Sequence, residues 1–170
     1  RPTSPAPSDP AMGEPAMGEA AGGGADDEGE DELPTGLNAQ IEAGAVIQPF
    51  THIEGARIGA GAIVGPFARL RPGANLGPEV HIGNFVEVKN STLGRGAKAN
   101  HLAYLGDSTV GERVNYGAGS ITANYDGANK HRTVIGNDVH VNSNVQQIAP
   151  VTEDKGATND ASATNSKDIP

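Results

Sequence analysis

Cysteine and tryptophan are both absent from this chain of 170 residues, and only six residues are aromatic, three Tyr and three Phe. Without cysteine the chain has neither a disulfide framework nor thiolate ligands for a metal. A β-sandwich or a helical bundle normally fills its core with larger side chains, so the shortage of aromatic residues argues against both. No apolar stretch approaches the length of a membrane span, and none has the pattern of a signal peptide, so we expect a cytoplasmic protein.

The charged residues are unevenly divided along the chain, whose formal net charge is −9. Residues 1–36 contain nine acidic residues against the single base Arg1, whereas the remaining 134 residues contain twelve acidic and eleven basic residues. The leading segment also repeats Pro-Ala-Met-Gly-Glu at 10–14 and 15–19. Such a stretch buries too little apolar surface to offset its ordering entropy, so we expect residues 1–36 to form a disordered acidic tail or linker. No cluster of basic and aromatic residues indicates a nucleic-acid partner.

The rest of the sequence carries an apolar, mostly aliphatic residue at every sixth position, with two one-residue slips. The series consists of Ile58, Val64, Leu70, Leu76, Ile82, Val88, Leu93, Ala99, Leu105, Val110 and Tyr116. A period of six residues is typical of a parallel β-helix, in which each unit forms one short strand and a corner, and three units complete a triangular coil. We therefore predict an all-β fold, a parallel β-helix over residues 37–170 with the aliphatic side chains pointing into its shaft.

One internal segment departs from the period. Residues 122–133 are polar, lack any six-residue repeat, and lie between Ile121 and Ile135, where the aliphatic positions resume. The segment is therefore predicted to form a loop that projects from one coil. Loops that project from a repeat scaffold often form its binding surface.

The period weakens again toward the C-terminal end, after Val141. The next inward positions are occupied by Glu153, Asn159 and Asn165. A carboxylate in a dry shaft costs several kcal/mol unless it is paired or neutralised. We therefore expect the last coils, at about 152–170, to be irregular. The sequence leaves open whether they are frayed and solvated or form a polar cap.

Four outward residues are candidates for chemistry: Arg71, Lys89, His101 and Tyr104. Arg71 and Lys89 are eighteen residues apart, and Lys89 and His101 are twelve apart, so stacked coils place them on neighbouring surface. Two cations beside a histidine and a tyrosine suit an anionic sugar phosphate and a proton acceptor. On spacing alone, ordinary surface charges and a hydrogen-bonded histidine account for the same residues.

Four segments closely resemble one enzyme family, at residues 65–73, 81–89, 99–107 and 115–127. That family is the acetyltransferase domain of the bifunctional glucosamine-1-phosphate acetyltransferase and N-acetylglucosamine-1-phosphate uridylyltransferase. The resemblance is nearly continuous from Ile41 to Pro150 and is weaker to Pro170. It implies a left-handed parallel β-helix and a homotrimer with active sites between its subunits.

The resemblance also implies a reaction and its residues. Acetyl-CoA would acetylate the amine of glucosamine-1-phosphate, giving N-acetylglucosamine-1-phosphate for UDP-N-acetylglucosamine and cell-wall synthesis, with His101 as general base. No metal and no membrane partner are expected. The implied sugar-phosphate residues are Arg71, Lys89, Tyr104, Asn115 and Lys130. The implied acetyl-CoA residues are Ala118, Asn124, Tyr125, Ser143 and Ala161, of which Asn124 and Tyr125 would come from a neighbouring subunit.

Some features depart from this family and keep other functions open. No nucleotidyltransferase half precedes the repeats, so uridylyl transfer is not expected of this chain, and Ala123 replaces a cysteine found in many relatives. The polar final coils favour a non-catalytic trimeric module that retains a sugar-phosphate site. An acyltransferase for another amino sugar is a further alternative. A zinc enzyme using His81 and His101 would lack a well-placed third histidine, because His131 falls in the predicted loop.

Overall fold

The computed structural model describes residues 38–159, and within that range every regular element is a β-strand. In chain order the strands are β1 (Gln40–Ile41), β2 (Val46–Ile47), β3 (His52–Ile53), β4 (Arg57–Ile58), β5 (Ile63–Val64), β6 (Arg69–Leu70), β7 (Asn75–Leu76), β8 (His81–Lys89), β9 (Thr92–Leu93), β10 (Lys98–Gly106), β11 (Ser108–Val110), β12 (Asn115–Tyr116), β13 (Ile121–Ala123), β14 (Thr133–Ile135), β15 (His140–Val141), β16 (Gln146–Ile148), β17 (Val151–Glu153) and β18 (Thr158–Asn159). No helix that could cross a membrane occurs in residues 38–159.

The strands stack in three parallel faces. The first face has the order β1-β4-β7-β9-β11-β14-β17, the second β2-β5-β8-β10-β12-β15-β18, and the third β3-β6-β8-β10-β13-β16. The two longest strands, β8 and β10, pass through a corner and therefore belong to both the second and the third face. The predicted parallel β-helix is confirmed: the strands form a solenoid of about 7 turns, consistent with a left-handed β-helix.

The register explains the six-residue period and its slips. Gln40 lies opposite Arg57, and Arg57 lies opposite Asn75, so the first of these coils is one residue shorter than the second. The longer kind of coil holds three complete six-residue units, and the shorter kind produces a one-residue slip. Each strand therefore still points its inward residue into the shaft, although the spacing between successive inward residues falls from six to five at a slip.

The shaft is filled by two inward positions in each unit. The aliphatic series is almost completely inaccessible to solvent, with Ile58 and Leu70 at 0% exposure. Two residues before each member lies a second buried side chain, usually a smaller one, such as Ala56 before Ile58 or Ala68 before Leu70. This second row escaped the sequence analysis, because alanine is too common for its spacing to stand out. Burying each large aliphatic side chain contributes about 1.5–3 kcal/mol, so the shaft is the main source of stability.

The shaft changes character along its length. We call the members of the aliphatic series from Ile58 to Val110 the apolar shaft, because every one of them is aliphatic. We call the inward positions from Tyr116 to Asn159 the polar shaft. Its members are Tyr116, Thr122, Ile135, Val141, Gln147, Glu153 and Asn159.

The predicted projecting loop is also confirmed, with narrower bounds. Thr92 lies opposite Thr109 across β9 and β11, and Thr109 lies opposite Val134 across β11 and β14, so the coil that follows β11 is longer than the one before it. Residues 122–123 belong to β13 and Thr133 begins β14, which leaves residues 124–132 as the loop. An antiparallel bridge between Tyr125 and Lys130 closes it into a short hairpin-like turn.

The two ends of the described solenoid differ. At the first coil the inward Ile41 and Ile47 are 50% and 37% exposed. At the last coil the parallel register continues to Asn159, where Glu153 and Asn159 are buried and Asn159 Nδ2 donates a 2.7 Å hydrogen bond to Glu153 Oε1. Within the described residues this hydrogen bond gives the buried Glu153 carboxylate a partner. The predicted tail at residues 1–36 and residues 160–170, including Ala161 and Asn165, lie outside the described residues.

Candidate functional site

Three of the four outward candidates lie side by side on the third face. Tyr104 is paired in register with Glu87 across β10 and β8, and Glu87 with Arg69 across β8 and β6. Arg71 and Lys89 follow the inward residues of β6 and β8, so each lies two residues beyond this row and on the same outward side. The strand register alone therefore brings Arg71, Lys89 and Tyr104 onto one patch of surface.

The loop adds a third cation to this patch. Lys130 lies close enough to Lys89 to interact with it directly, and the Arg71 charge also acts on Lys89. The pKa of Lys89 is lowered, chiefly by the Lys130 ammonium and further by desolvation and by Arg71, while Asp107 opposes the change. We call Arg71, Lys89 and Lys130 the cation cluster. Because like charges gathered in this way repel one another, a bound anion would relieve the repulsion.

Glu87 prepares one member of the cluster. Its Oε1 accepts a 2.9 Å hydrogen bond from Arg71 Nη1, while its Oε2 lies 3.8 Å from Arg69 Nη1. The carboxylate thus fixes the Arg71 guanidinium on the outer surface and leaves its other N–H groups available. Arginine presents several donors in a planar fork, which suits binding of a phosphate group.

Tyr104 is half-buried beside the cluster, and its ring lies over Gly106. A Cβ atom at Gly106 would collide with the phenol oxygen and ring carbons, so glycine at this position is what lets the ring lie flat. Burial raises the pKa of Tyr104, and the charges of Asp107 and Glu87 raise it further. The hydroxyl therefore keeps its proton at neutral pH and serves as a hydrogen-bond donor to an anion.

His101 lies on the same strand as Tyr104, at the corner between the second and third faces. It is exposed, and its Nδ1 is 3.1 Å from Oδ1 of Asn84, with which it is paired in register. Because an amide oxygen only accepts, Nδ1 donates and the neutral ring presents the lone pair of Nε2 outward. The coils approach closely here: a Cβ at Gly83 would overlap the carbonyl oxygen of Asn100.

Two of the predicted acetyl-CoA residues lie on the same corner as His101, in the two coils that follow it. The Gly119 N–H donates to Leu102 O, and the Asn144 N–H donates to Ala118 O, each at 2.8 Å. Ala118 and Ser143 therefore stack above His101 in the next two coils. Together, His101, Ala118 and Ser143 form a surface that runs along the solenoid axis. The third of the predicted residues on this side, Ala161, lies outside the described residues.

The remaining predicted residues are placed differently. Asn115 lies on the second face, in register with Lys98 and His140, so one protomer does not bring it to the cation cluster. Asn124 begins the loop and is held by a side-chain hydrogen bond to Asp107. Tyr125 is 62% exposed and donates a 2.6 Å hydrogen bond to the Gly127 carbonyl oxygen.

Sequence reasoning missed Asn84, Glu87 and Asp107, which orient three of the predicted residues. Asn84 contacts His101 and Asp107 contacts Asn124, each from the preceding coil, whereas Glu87 contacts Arg71 from the following coil. The six-residue period and its slips give the length of a coil, but they do not show which side chains of neighbouring coils touch.

The geometry offers no clustered metal ligands in the part of the chain that the structure describes. Within residues 38–159 no group of three or more His, Cys, Asp or Glu side chains comes together. His81 is in register with Lys98, not with His101, so the two histidines considered for zinc occupy different positions on the coil.

The coils that precede His101 carry a row of exposed aromatic side chains on the same corner, which we call the aromatic ladder. Phe50, Phe67 and Phe85 stack on successive coils with ring centroids 4.9 and 5.6 Å apart. They are 78%, 48% and 57% exposed, and Leu102, one residue beyond His101, continues the row at 61%. A continuous apolar row of this kind on a protein surface usually marks an interaction site.

Comparisons with known proteins agree with the geometry. The family model described as "GMPPB C-terminal domain" matches residues 52–152. Bifunctional protein GlmU of Methylibium petroleiphilum is 72% identical over 152 residues, covering 84% of this chain and 33% of that protein. GlmU of Polaromonas naphthalenivorans is 74% identical over 137 residues, covering 78% of this chain and 29% of that protein. The chain thus spans about a third of the length of these relatives.

A solved structure shares the fold. The acetyltransferase domain of PglB from Neisseria gonorrhoeae superposes with a TM-score of 0.54 at 21% sequence identity, over 74% of this chain and 56% of that domain. At this identity the match supports the parallel solenoid architecture.

Proposed function

The chain belongs to the family described as the GMPPB C-terminal domain, and we propose that it transfers an acetyl group from acetyl-CoA to the amine of glucosamine-1-phosphate. The product would be N-acetylglucosamine-1-phosphate, a precursor for UDP-N-acetylglucosamine and cell-wall synthesis. The observation that carries the proposal is the cation cluster, which lies beside Tyr104. Tyr104 is on the same strand as His101, whose ring is oriented by a hydrogen bond to Asn84. The identity of 72% to a GlmU protein supports the same assignment.

The cation cluster would hold the phosphate group of the sugar. Arg71, Lys89 and Lys130 supply positive charge, and Tyr104 supplies a neutral hydroxyl donor beside them. Binding a dianion would oppose the lowering of the Lys89 pKa by its cationic neighbours. Phosphate binding and the charged form of Lys89 therefore favour each other.

His101 would act as the general base. As the sugar amine attacks the thioester carbonyl, an N–C bond forms and the nitrogen loses a proton to Nε2 of His101. The C–S bond then breaks and CoA leaves as the thiol after taking up that proton. A positioned base of this kind contributes about 10²–10⁴-fold to the rate. Asn84 selects the tautomer that the step requires.

We place acetyl-CoA along the corner that continues from His101, against Ala118 and Ser143 and, from the resemblance, Ala161. A homotrimer would complete the site, with Asn124 and Tyr125 supplied by a neighbouring subunit. Two features support the trimer: Asn115 lies on a different face from the cation cluster, and the aromatic ladder offers apolar surface for subunit contact.

The decisive experiment measures release of the CoA thiol from acetyl-CoA with glucosamine-1-phosphate as acceptor. We expect turnover by the parent chain and a loss of about 10²–10⁴-fold in His101→Ala. His52→Ala, which removes another exposed histidine, serves as the control and is expected to keep full activity.

Two other outcomes identify the alternatives. Binding of glucosamine-1-phosphate by a folded chain without any turnover would replace this proposal with a non-catalytic module that retains the sugar-phosphate site. Turnover only with a different amino sugar would identify an acyltransferase of another specificity.

A further inference from the structure

Both ends of the projecting loop are attached to a single residue, Asp107, in the turn between β10 and β11. Its Oδ2 accepts a hydrogen bond from Nδ2 of Asn124, the first loop residue, and its carbonyl oxygen accepts the Thr133 N–H at 3.2 Å, just past the loop. Its Oδ1 accepts from Asn90 Nδ2 at 2.5 Å. The Asp107 N–H donates to the carbonyl oxygen of Lys89 at 3.1 Å, which ties this turn to the cation cluster.

The loop itself is cross-linked internally. Oδ1 of Asp126 accepts from the Ala128 and Asn129 N–H groups at 2.8 and 2.6 Å, and Oδ2 lies 2.6 Å from His131 Nε2. The His131 N–H in turn donates to Asn124 O at 2.8 Å. A loop braced in this way moves as one piece, so the contacts at its ends decide where Lys130 lies.

We propose that Asp107 is a positioning residue of the acetyl-transfer site, holding the loop so that Lys130 keeps its place beside Lys89. This inference rests on the function proposed above. In this proposal Asp107 contacts the loop and does not contact either substrate.

The chemistry of the contacts requires a carboxylate at this position. Both carboxylate oxygens accept from amide NH₂ groups, one from Asn90 and one from Asn124. In Asp107→Asn one oxygen becomes an NH₂ group, which faces another donor and cannot accept. The backbone cost is small, because Asp107 has φ 48° and asparagine tolerates this left-handed region well.

The first test measures amide hydrogen exchange in residues 124–132 of the intact chain. We expect Asp107→Asn to exchange about tenfold faster there than the parent, with no change in β8. Asp138→Asn is the matched control, since Asp138 also has positive φ and also accepts side-chain hydrogen bonds, from Arg113, but does not touch the loop. Equal exchange in Asp107→Asn and the parent would overturn the proposal.

A reversed pair provides the rescue. Asp107→Asn combined with Asn124→Asp lets the new amide accept from Asn90 and donate to the new carboxylate, so loop exchange returns to the parent rate. A purely structural effect of residue 107 predicts no such recovery. The exchange readout does not need catalysis, so a chain without acetyltransferase activity would refute the proposed function while still testing the position of the loop.

Kinetics supply the link to the reaction. In an active chain, Asp107→Asn should raise KM for glucosamine-1-phosphate about tenfold, with a smaller change in kcat, because loosening the loop moves Lys130 and leaves His101 in place. An unchanged KM together with faster loop exchange would overturn the role in the site.

Discussion

The apolar shaft and the polar shaft share one backbone and differ in what fills it. In the apolar shaft every member of the series is aliphatic, and Leu70 is a typical example. In the polar shaft the equivalent place on the third face is held first by Thr122 and then by Gln147. The parallel ladders are continuous through both regions. The backbone hydrogen bonds therefore specify the solenoid, and the interior sets how stable each part of it is.

The polar shaft is stabilised locally where side chains find partners. Thr122 Oγ1 accepts the Gly106 N–H at 2.7 Å and donates to the Gly106 carbonyl oxygen at 3.0 Å. Glu153 is paired with Asn159. By contrast, within the described residues the Gln147 amide and the Tyr116 hydroxyl are buried and have no hydrogen-bond partner. Unpartnered buried amides and hydroxyls cost about 1–3 kcal/mol each.

The largest expected effect comes from truncating the apolar shaft. Leu70→Ala should lower the free energy of unfolding by about 3 kcal/mol, because it leaves a cavity in a tightly stacked interior. Gln147→Ala, at the equivalent inward position on the third face, should lower it by less than about 1 kcal/mol, since it also removes two unpartnered polar atoms. Urea unfolding followed by circular dichroism measures both variants. Equal losses would show that the two shafts contribute alike.

A smaller effect, an increase in the free energy of unfolding, is expected when one inward residue of the polar shaft is made apolar. Gln147→Met keeps the side-chain volume and removes the unpartnered amide, so the free energy of unfolding should rise by about 1–2 kcal/mol. Gln146→Met, on the exposed side of the same strand, is the control and should change it by less than about 0.5 kcal/mol. A destabilised Gln147→Met would mean that the amide is satisfied in the folded protein.

The smallest effect appears only at alkaline pH. Burial raises the pKa of Tyr116 well above its ordinary value, so the folded state retains the phenol proton more strongly than the unfolded state does. Its contribution is fully present below the unfolded pKa of about 10 and is lost as the pH rises above it. Tyr116→Phe should therefore lose less stability than the parent between pH 10 and 11.

The control for this pH dependence is Tyr125→Phe, which removes an exposed tyrosine from the loop. Thermal melting temperatures across this pH range should follow the parent in that variant. Parallel curves for Tyr116→Phe and the parent would show that Tyr116 titrates alike in the folded and unfolded chains.

Part of the site, like the fold, was predictable from the regular spacing of the inward residues. Arg71, Lys89 and Tyr104 flank inward aliphatic residues, so their spacing nearly fixes their place on the third face. Asn115 occupies the same kind of position but on the second face, a distinction that depends on counting the slips correctly. Asn84 and Asp107 could not be identified from the period, because their roles depend on side-chain contacts between neighbouring coils.

The amino-acid sequence by itself determined the parallel solenoid, its apolar interior and the presence of a projecting loop. Each follows from local chemistry, since a six-residue alternation of apolar and small residues has one efficient way to bury itself. Only the tertiary structure decided that Glu153 pairs with Asn159, that Asn84 orients His101, and that Asp107 fastens the loop. These contacts join residues from different strands, and their geometry depends on the length of every coil between them.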